Sequence, residues 1–199
     1  MKSKLFQVSV VKGDGVQVAS KYKLKIGIDI DDVCWDLVGH WLDWYNRYNT
    51  TKQTLTPIDI KSWEINQYVD DTYTLWKILD DPAFWLTIKE PSETQVDMIK
   101  WIYDNFDTYF ITDTDYKIPK EKFERFFDIY DFVDKERLII CKDKGMINVD
   151  GLIDDNPNTI MNVHIPIKFM IKQPWNQVKE LNYCRLDLPD IVSILNSQI

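Results

Sequence analysis

With 199 residues the chain has room for one ordinary domain, or a domain carrying a sizeable insertion, around a real hydrophobic core. An apolar content of 45%, with 14% aromatic residues, excludes a disordered polymer. A net charge of −8 without any basic block argues against binding polymeric nucleic acid by phosphate neutralisation, while small anionic substrates stay open.

No apolar run reaches membrane-spanning length and no basic-then-apolar leader opens the chain. No membrane association and a cytoplasmic location are therefore expected. Cys34, Cys141 and Cys184, odd in number and without CxxC spacing, read as small buried hydrophobes in a reducing compartment.

Phe6, Val8 and Val10 alternate on one face, and Lys12-Gly13-Asp14-Gly15 turns the chain into Val16 to Val18, predicting a β-hairpin extension over 1–22. The Gly-Asp-Gly lacks the further glycines, lysine and helix of a phosphate loop, so it reads as a turn. Either the hairpin extends the main sheet or it pairs with a second copy of the chain in a homodimer.

Lys25 to Ile28 is a short β-branched-rich run, the pattern of a buried strand, and it empties into Asp29-Ile30-Asp31-Asp32. Strand alternation puts Asp29 and Asp31 on one side and Ile30 on the other. A helix follows from about Trp35 to Asn49 with two apolar stripes, Val38, Leu42, Tyr45 and Trp41, Trp44, Tyr48. Packing on both sides requires a second layer. Residues 50–90, with Trp63, Tyr68, Tyr73, Trp76, Phe84 and Trp85 among short helical patterns broken by Pro57 and Pro82, supply it as a small helical cap.

Ser92 to Gln95 is a capping box opening a helix with Val96, Ile99, Tyr103 and Phe106 on one face. A strand at Tyr109 to Thr112, a helix with Phe123, Phe127 and Tyr130, and strands at Leu138 to Cys141, Val149 to Ile153 and Ile167 to Ile171 complete the alternation. Strands alternating with helices predict an α/β fold, a parallel sheet covered by helices on both faces. The core domain spans 23–49 and 91–199.

In such sheets the site lies beyond the carboxyl ends of the strands. The first strand ends in Asp29 and Asp31. The next ends in Thr112-Asp113, presenting a hydroxyl and a backbone N–H for phosphate. The third leads into Lys142, Asp143 and Lys144, and the fourth ends in Asp154-Asp155.

Acid pair, hydroxyl, ammonium and acid pair on one rim suit phosphoryl transfer. One carboxylate attacks phosphorus, a second acts as acid and base, and the hydroxyl and ammonium hold the equatorial oxygens. Mg2+ prefers hard oxygen ligands of this kind.

Asp29-Ile30-Asp31-Asp32-Val33 matches the DxDx(V/T) signature, and Thr112, Lys144 and Asp154-Asp155 match the later motifs, of the haloacid dehalogenase superfamily. The chain thus resembles these phosphohydrolases over roughly 23–195. It is most similar to the 5′(3′)-deoxyribonucleotidases through Val33-Cys34-Trp35-Asp36, Asp143-Lys144, Leu152-Ile153-Asp154-Asp155, Gln173-Pro174-Trp175-Asn176 and Arg185-Leu186.

The resemblance implies a Rossmann-like fold and a Mg2+ cofactor. Asp29 becomes nucleophile and metal ligand, and Asp31 general acid/base that also lends its backbone carbonyl to the metal. Thr112 holds phosphate, Lys144 (with Lys142 as rival) braces phosphate and nucleophile, and Asp154 or Asp155 completes the metal site. The implied substrate is a nucleoside monophosphate, hydrolysed through an aspartyl phosphate.

Three positions depart from the family pattern: Asp32 where most relatives have glycine, Asp113 in place of a small residue, and Leu37 where the mammalian enzymes place an aromatic residue near the base. Phe84 and Trp85, followed by Trp63, are the candidate base contacts, though packing the cap core is the competing role. Trp175 reads as packing, His40 as a helix-surface residue and His164 as a strand-entry residue. The rival readings are a phosphatase for sugar phosphates or nucleic-acid 3′ ends, and a catalytically silent phosphate-binding protein.

Overall fold

The computed structural model describes residues 23–49, 54–69, 74–115, 117–177, 185–197 and 199. The hairpin expected over 1–22 and Cys184 lie outside them. Among the described residues six strands form one sheet: β1 (Lys25–Ile28), β2 (Asp107–Thr112), β3 (Leu138–Ile140), β4 (Gly151–Asp154), β5 (Ile167–Ile171) and β6 (Arg185–Leu186). Their order is β3-β2-β1-β4-β5-β6, and every pair is parallel. β6 was not foreseen; at two residues it carries no periodicity to read.

Alternation divides the core between the two faces. Ile26, Ile28, Phe110, Ile153 and Phe169 join one buried cluster, and Ile111, Leu152 and Met170 the other. Gly27 lies between these layers, where a Cβ would stand 2.7 Å from Ile111 Cδ1 and 3.2 Å from Leu152 Cδ1. The larger cluster takes in residues of α1 (Leu37–Tyr48), α4 (Glu93–Asn105), α5 (Glu121–Ile129) and α7 (Leu188–Asn196), and the smaller one takes in Ile160 of α6 (Pro157–Asn162).

Between α1 and α4 lie 3-10 helices at Pro57–Asp59 and Ile65–Tyr68, then α2 (Leu75–Ile78) and α3 (Pro82–Leu86). Pro57 and Pro82 open helices here instead of breaking them, because the first helical position needs no N–H and suits proline's fixed φ. Among the described residues no helix is long and apolar enough to cross a membrane.

The double-striped helix is α1. Val38, Leu42, Tyr45 and Trp41 are buried, while Tyr48, at the end of the second stripe, is half exposed. His40 corrects the surface assignment: it is buried, and its Nε2–H donates to the Phe84 carbonyl at 2.9 Å, tying α1 to α3. His164 is exposed. On α5 the fully buried positions are Lys122 and Phe126, with Tyr130 just after the helix, in place of Phe123 and Phe127. The helix is turned by one position from the expected face, so that Lys122 points inward.

Candidate active site

Asp29 follows the last residue of β1, and its N–H donates to the Ile153 carbonyl of β4 at 2.9 Å, so the parallel ladder itself fixes its backbone. Its Oδ1 accepts from Ile30 N–H at 2.8 Å and from Lys144 Nζ at 2.8 Å. Lys144 also reaches Asp154 Oδ2 at 2.7 Å and is buried, whereas Lys142 is exposed. Lys144 is therefore the lysine that the fold brings to the acids.

Asp154 ends β4 with no exposed surface, and the chain turns immediately into α6, so Asp155 faces the same space. One carboxylate oxygen from each of Asp29, Asp154 and Asp155 lies within 4.8 Å of the others. Trp175 does more than pack: its Nε1–H donates to Asp155 Oδ2 at 2.8 Å, while Asn176 Nδ2 holds the Asp155 carbonyl at 2.8 Å.

Electrostatics follow from crowding. Burial, then the Asp154 and Asp31 charges, push the Asp29 carboxyl up to about 7 against the pull of Lys144. Burial and the charges of Asp154 and Asp29 raise Asp155. Burial opposes the Lys144 ammonium, but Asp29 and Asp154 overcome it and hold its pKa above the ordinary lysine value. Three buried carboxylates with one ammonium in contact leave excess negative charge. An all-oxygen donor set of this charge fits a hard divalent cation, which supplies the missing positive charge.

Asp31 stands apart from this cluster. Its carboxylate, 20% exposed, receives Lys122 Nζ on Oδ2 at 2.6 Å and Trp35 Nε1–H on Oδ1 at 2.9 Å. Lys122, 2% exposed, also donates to Thr112 Oγ1 at 3.2 Å and sits 4.9 Å from the Trp85 ring centre. The sequence reading missed Lys122. Its one available signal was a lysine one position from an apolar helix face.

Asp32 adopts φ +58°, the left-handed conformation for which glycine is the usual choice and Asp a tolerated one. Its Oδ1 accepts from Val38 N–H in the first turn of α1 at 2.9 Å, beside the N-cap bond from Gly39 N–H to Asp36. Burial and the Asp155 charge raise its pKa. The turn is tied by three side chains: Gln173 donates to the Asp32 carbonyl, Gln95 to those of Val33 and Cys34, and the Tyr130 hydroxyl also to that of Cys34. Ser92 caps α4, accepting from Gln95 N–H, but the Gln95 amide serves this turn in place of the reciprocal half of the expected capping box.

Thr112 is buried and donates to the Asp113 carbonyl at 3.4 Å; Asp113 itself is exposed. The base candidates are mostly enclosed. Leu37, Phe84 and Trp85 are buried, with Phe84 packed on His40, Trp44 and Trp85. They build core in this conformation, and Trp63, 36% exposed, is the aromatic of that set with an accessible face.

Residues 23–186 match the model of the family described as 5′ nucleotidase, deoxy (Pyrimidine), cytosolic type C protein. The chain belongs to this family. A 5′(3′)-deoxyribonucleotidase of Clostridium acetobutylicum is 32% identical over 144 residues, covering 70% of this chain and 77% of that one. Another of the same description from Bacillus subtilis is 26% identical over 159 residues, covering 78% and 88%. The fold is that of a haloacid dehalogenase-like hydrolase from Burkholderia xenovorans, at TM-score 0.53 and 13% identity over 88% of this chain and 98% of the other. The protein is thus a phosphoric monoester hydrolase of the 5′-nucleotidase family, on a haloacid dehalogenase-like fold.

Proposed function

We propose that the protein hydrolyses deoxyribonucleoside monophosphates to nucleoside and phosphate, with Asp29 as nucleophile and Asp31 as acid and base. The observation that carries this is the division between the two aspartates. Asp29 faces Lys144 and two carboxylates, while Asp31 faces Lys122 and Trp35. Two carboxylates in contrasting environments are how one site holds a nucleophile and a proton carrier together.

An Asp29 oxygen attacks phosphorus, the ester P–O bond breaks, and Asp31 gives its proton to the departing oxygen. Asp31 then takes a proton from the water that opens the aspartyl phosphate. Lys122, Lys144 and Thr112 hold the phosphoryl oxygens, where charge gathers in the transition state. Asp29, Asp154 and Asp155 would hold Mg2+, together with the Asp31 carbonyl; bound there, the cation offsets charge on the phosphoryl oxygens. Residues 50–90 act as the cap over this rim, and free Cys34 and Cys141 suit a reducing cytoplasm.

Phosphate release from a panel of nucleoside monophosphates and sugar phosphates, with Mg2+ or with chelator, tests the proposal. Release from deoxyribonucleoside monophosphates that chelator stops is expected. Release from sugar phosphates alone overturns the substrate class, and no release from any member overturns the reaction.

A further inference from the structure

Trp35 is 1% exposed, so its burial alone marks it as core. Its one polar atom, however, points at a reacting group: Nε1–H donates to Asp31 Oδ1 at 2.9 Å. The ring packs against two others, 6.0 Å from Trp85 in a tilted pair and 6.0 Å from Phe126 in an edge contact. Trp85 is itself anchored by its Nε1–H on the Leu79 carbonyl at 2.8 Å. A rigid bicycle with a single N–H, packed against Trp85 and Phe126, fixes a direction that a lysine cannot. The ammonium on Oδ2 is a point charge on a flexible stem with three interchangeable donors.

We propose that Trp35 is a positioning residue that sets the plane of the Asp31 carboxyl for proton transfer to the leaving oxygen. This rests on the acid role of Asp31 given above. In that step the Asp29 oxygen–phosphorus bond forms, the ester P–O bond breaks, and its electron pair goes to the ester oxygen. The Asp31 proton moves onto that oxygen to give the free hydroxyl. A carboxyl free to rotate misses the transfer without losing its affinity for substrate, so the damage falls on turnover.

The test compares Trp35→Phe with the wild type, both with Mg2+, on a deoxyribonucleoside 5′-monophosphate and on p-nitrophenyl phosphate, whose leaving group departs without a proton. Read in the first turnover, before Asp31 acts as base to open the aspartyl phosphate that both substrates share, nucleoside release is expected to slow about tenfold or more with substrate affinity within about twofold, and nitrophenol release to stay within about threefold. Equal losses on the two substrates, or none on either, overturn the proposal.

Should Trp35→Phe fail to fold, benzothienylalanine at position 35 replaces the indole N–H by sulfur in the same bicycle and must give the same selective loss. A wild type inactive on both substrates overturns the proposed substrate class and this proposal with it. An active wild type with an unselective variant overturns the Trp35 role alone.

Discussion

Lys122 Nζ lies 2.6 Å from Asp31 Oδ2 although the two residues stand 91 apart in sequence. The pair joins α5 to the turn after β1 and carries the same ammonium to Thr112, so one buried lysine touches both the proposed acid and a group proposed to hold the phosphoryl oxygens. Lys122→Met keeps a buried unbranched side chain and removes the charge. We expect kcat to fall about 10²-fold, with a loss of stability of about 1–3 kcal/mol because Asp31 keeps some solvent. Steady-state kinetics and denaturant melts on one preparation check both; unchanged kcat would remove Lys122 from the machinery.

Asp29→Asn should abolish turnover while the fold persists, since an amide is a poor nucleophile and the substitution removes a buried charge that its neighbours repel. A variant that melts cooperatively but releases no phosphate is the expected result. Sustained Mg2+-dependent turnover by Asp29→Asn refutes the nucleophile role.

Mg2+ at a hundredfold excess over its dissociation constant should stabilise the protein by about 2.7 kcal/mol, raising Tm by roughly 5 to 10 °C. Asp155→Asn should remove most of that shift. Trp175→Phe, which strips a hydrogen bond from Asp155 Oδ2, should weaken the apparent Mg2+ affinity by about tenfold or more. Thermal melts over a Mg2+ series separate the three proteins. Identical curves for wild type and Asp155→Asn would exclude Asp155 from the cation site.

Burial holds the His40 imidazole below its ordinary pKa, against its bond to the Phe84 carbonyl. The unfolded chain then binds the proton more readily, so His40 costs stability as pH falls through the ordinary histidine value of about 6.5 and is neutral above it. His40→Gln, able to donate to the same carbonyl, should lose less stability than wild type between pH 7.5 and pH 5.5. Denaturant melts at the two values decide it, and equal losses would rule His40 out as an acid-sensitive contact.

Sequence and structure agree where a local rule reaches the answer. The alternating strands, their acidic or hydroxylic ends and the Ser92 cap are patterns within a few residues, and the rule that parallel sheets work at their carboxyl ends assembled Asp29, Thr112, Lys144 and Asp154. The misses are contacts across the fold. Lys122 reads as a solvated helix lysine until Asp31 is beside it, and His40 as a surface residue until α3 covers it.

Asp32 was legible as an extra charge and opaque as a backbone device. Only φ +58° and the bond from Val38 explain how a carboxylate can occupy a glycine position.

β1 lies between β2 and β4, and the β1–β4 seam is closed partly by Lys25 N–H on Asp150 Oδ2, across 125 residues. Nascent chain ending short of Gly151 therefore holds Asp29 and Thr112 but lacks the strand that places the last two acids. Non-local parallel pairing is slow to form, because the intervening chain must be ordered first. Recovery of turnover during refolding should accordingly lag behind the return of helical signal, making catalysis a clock for the final zipping of the sheet.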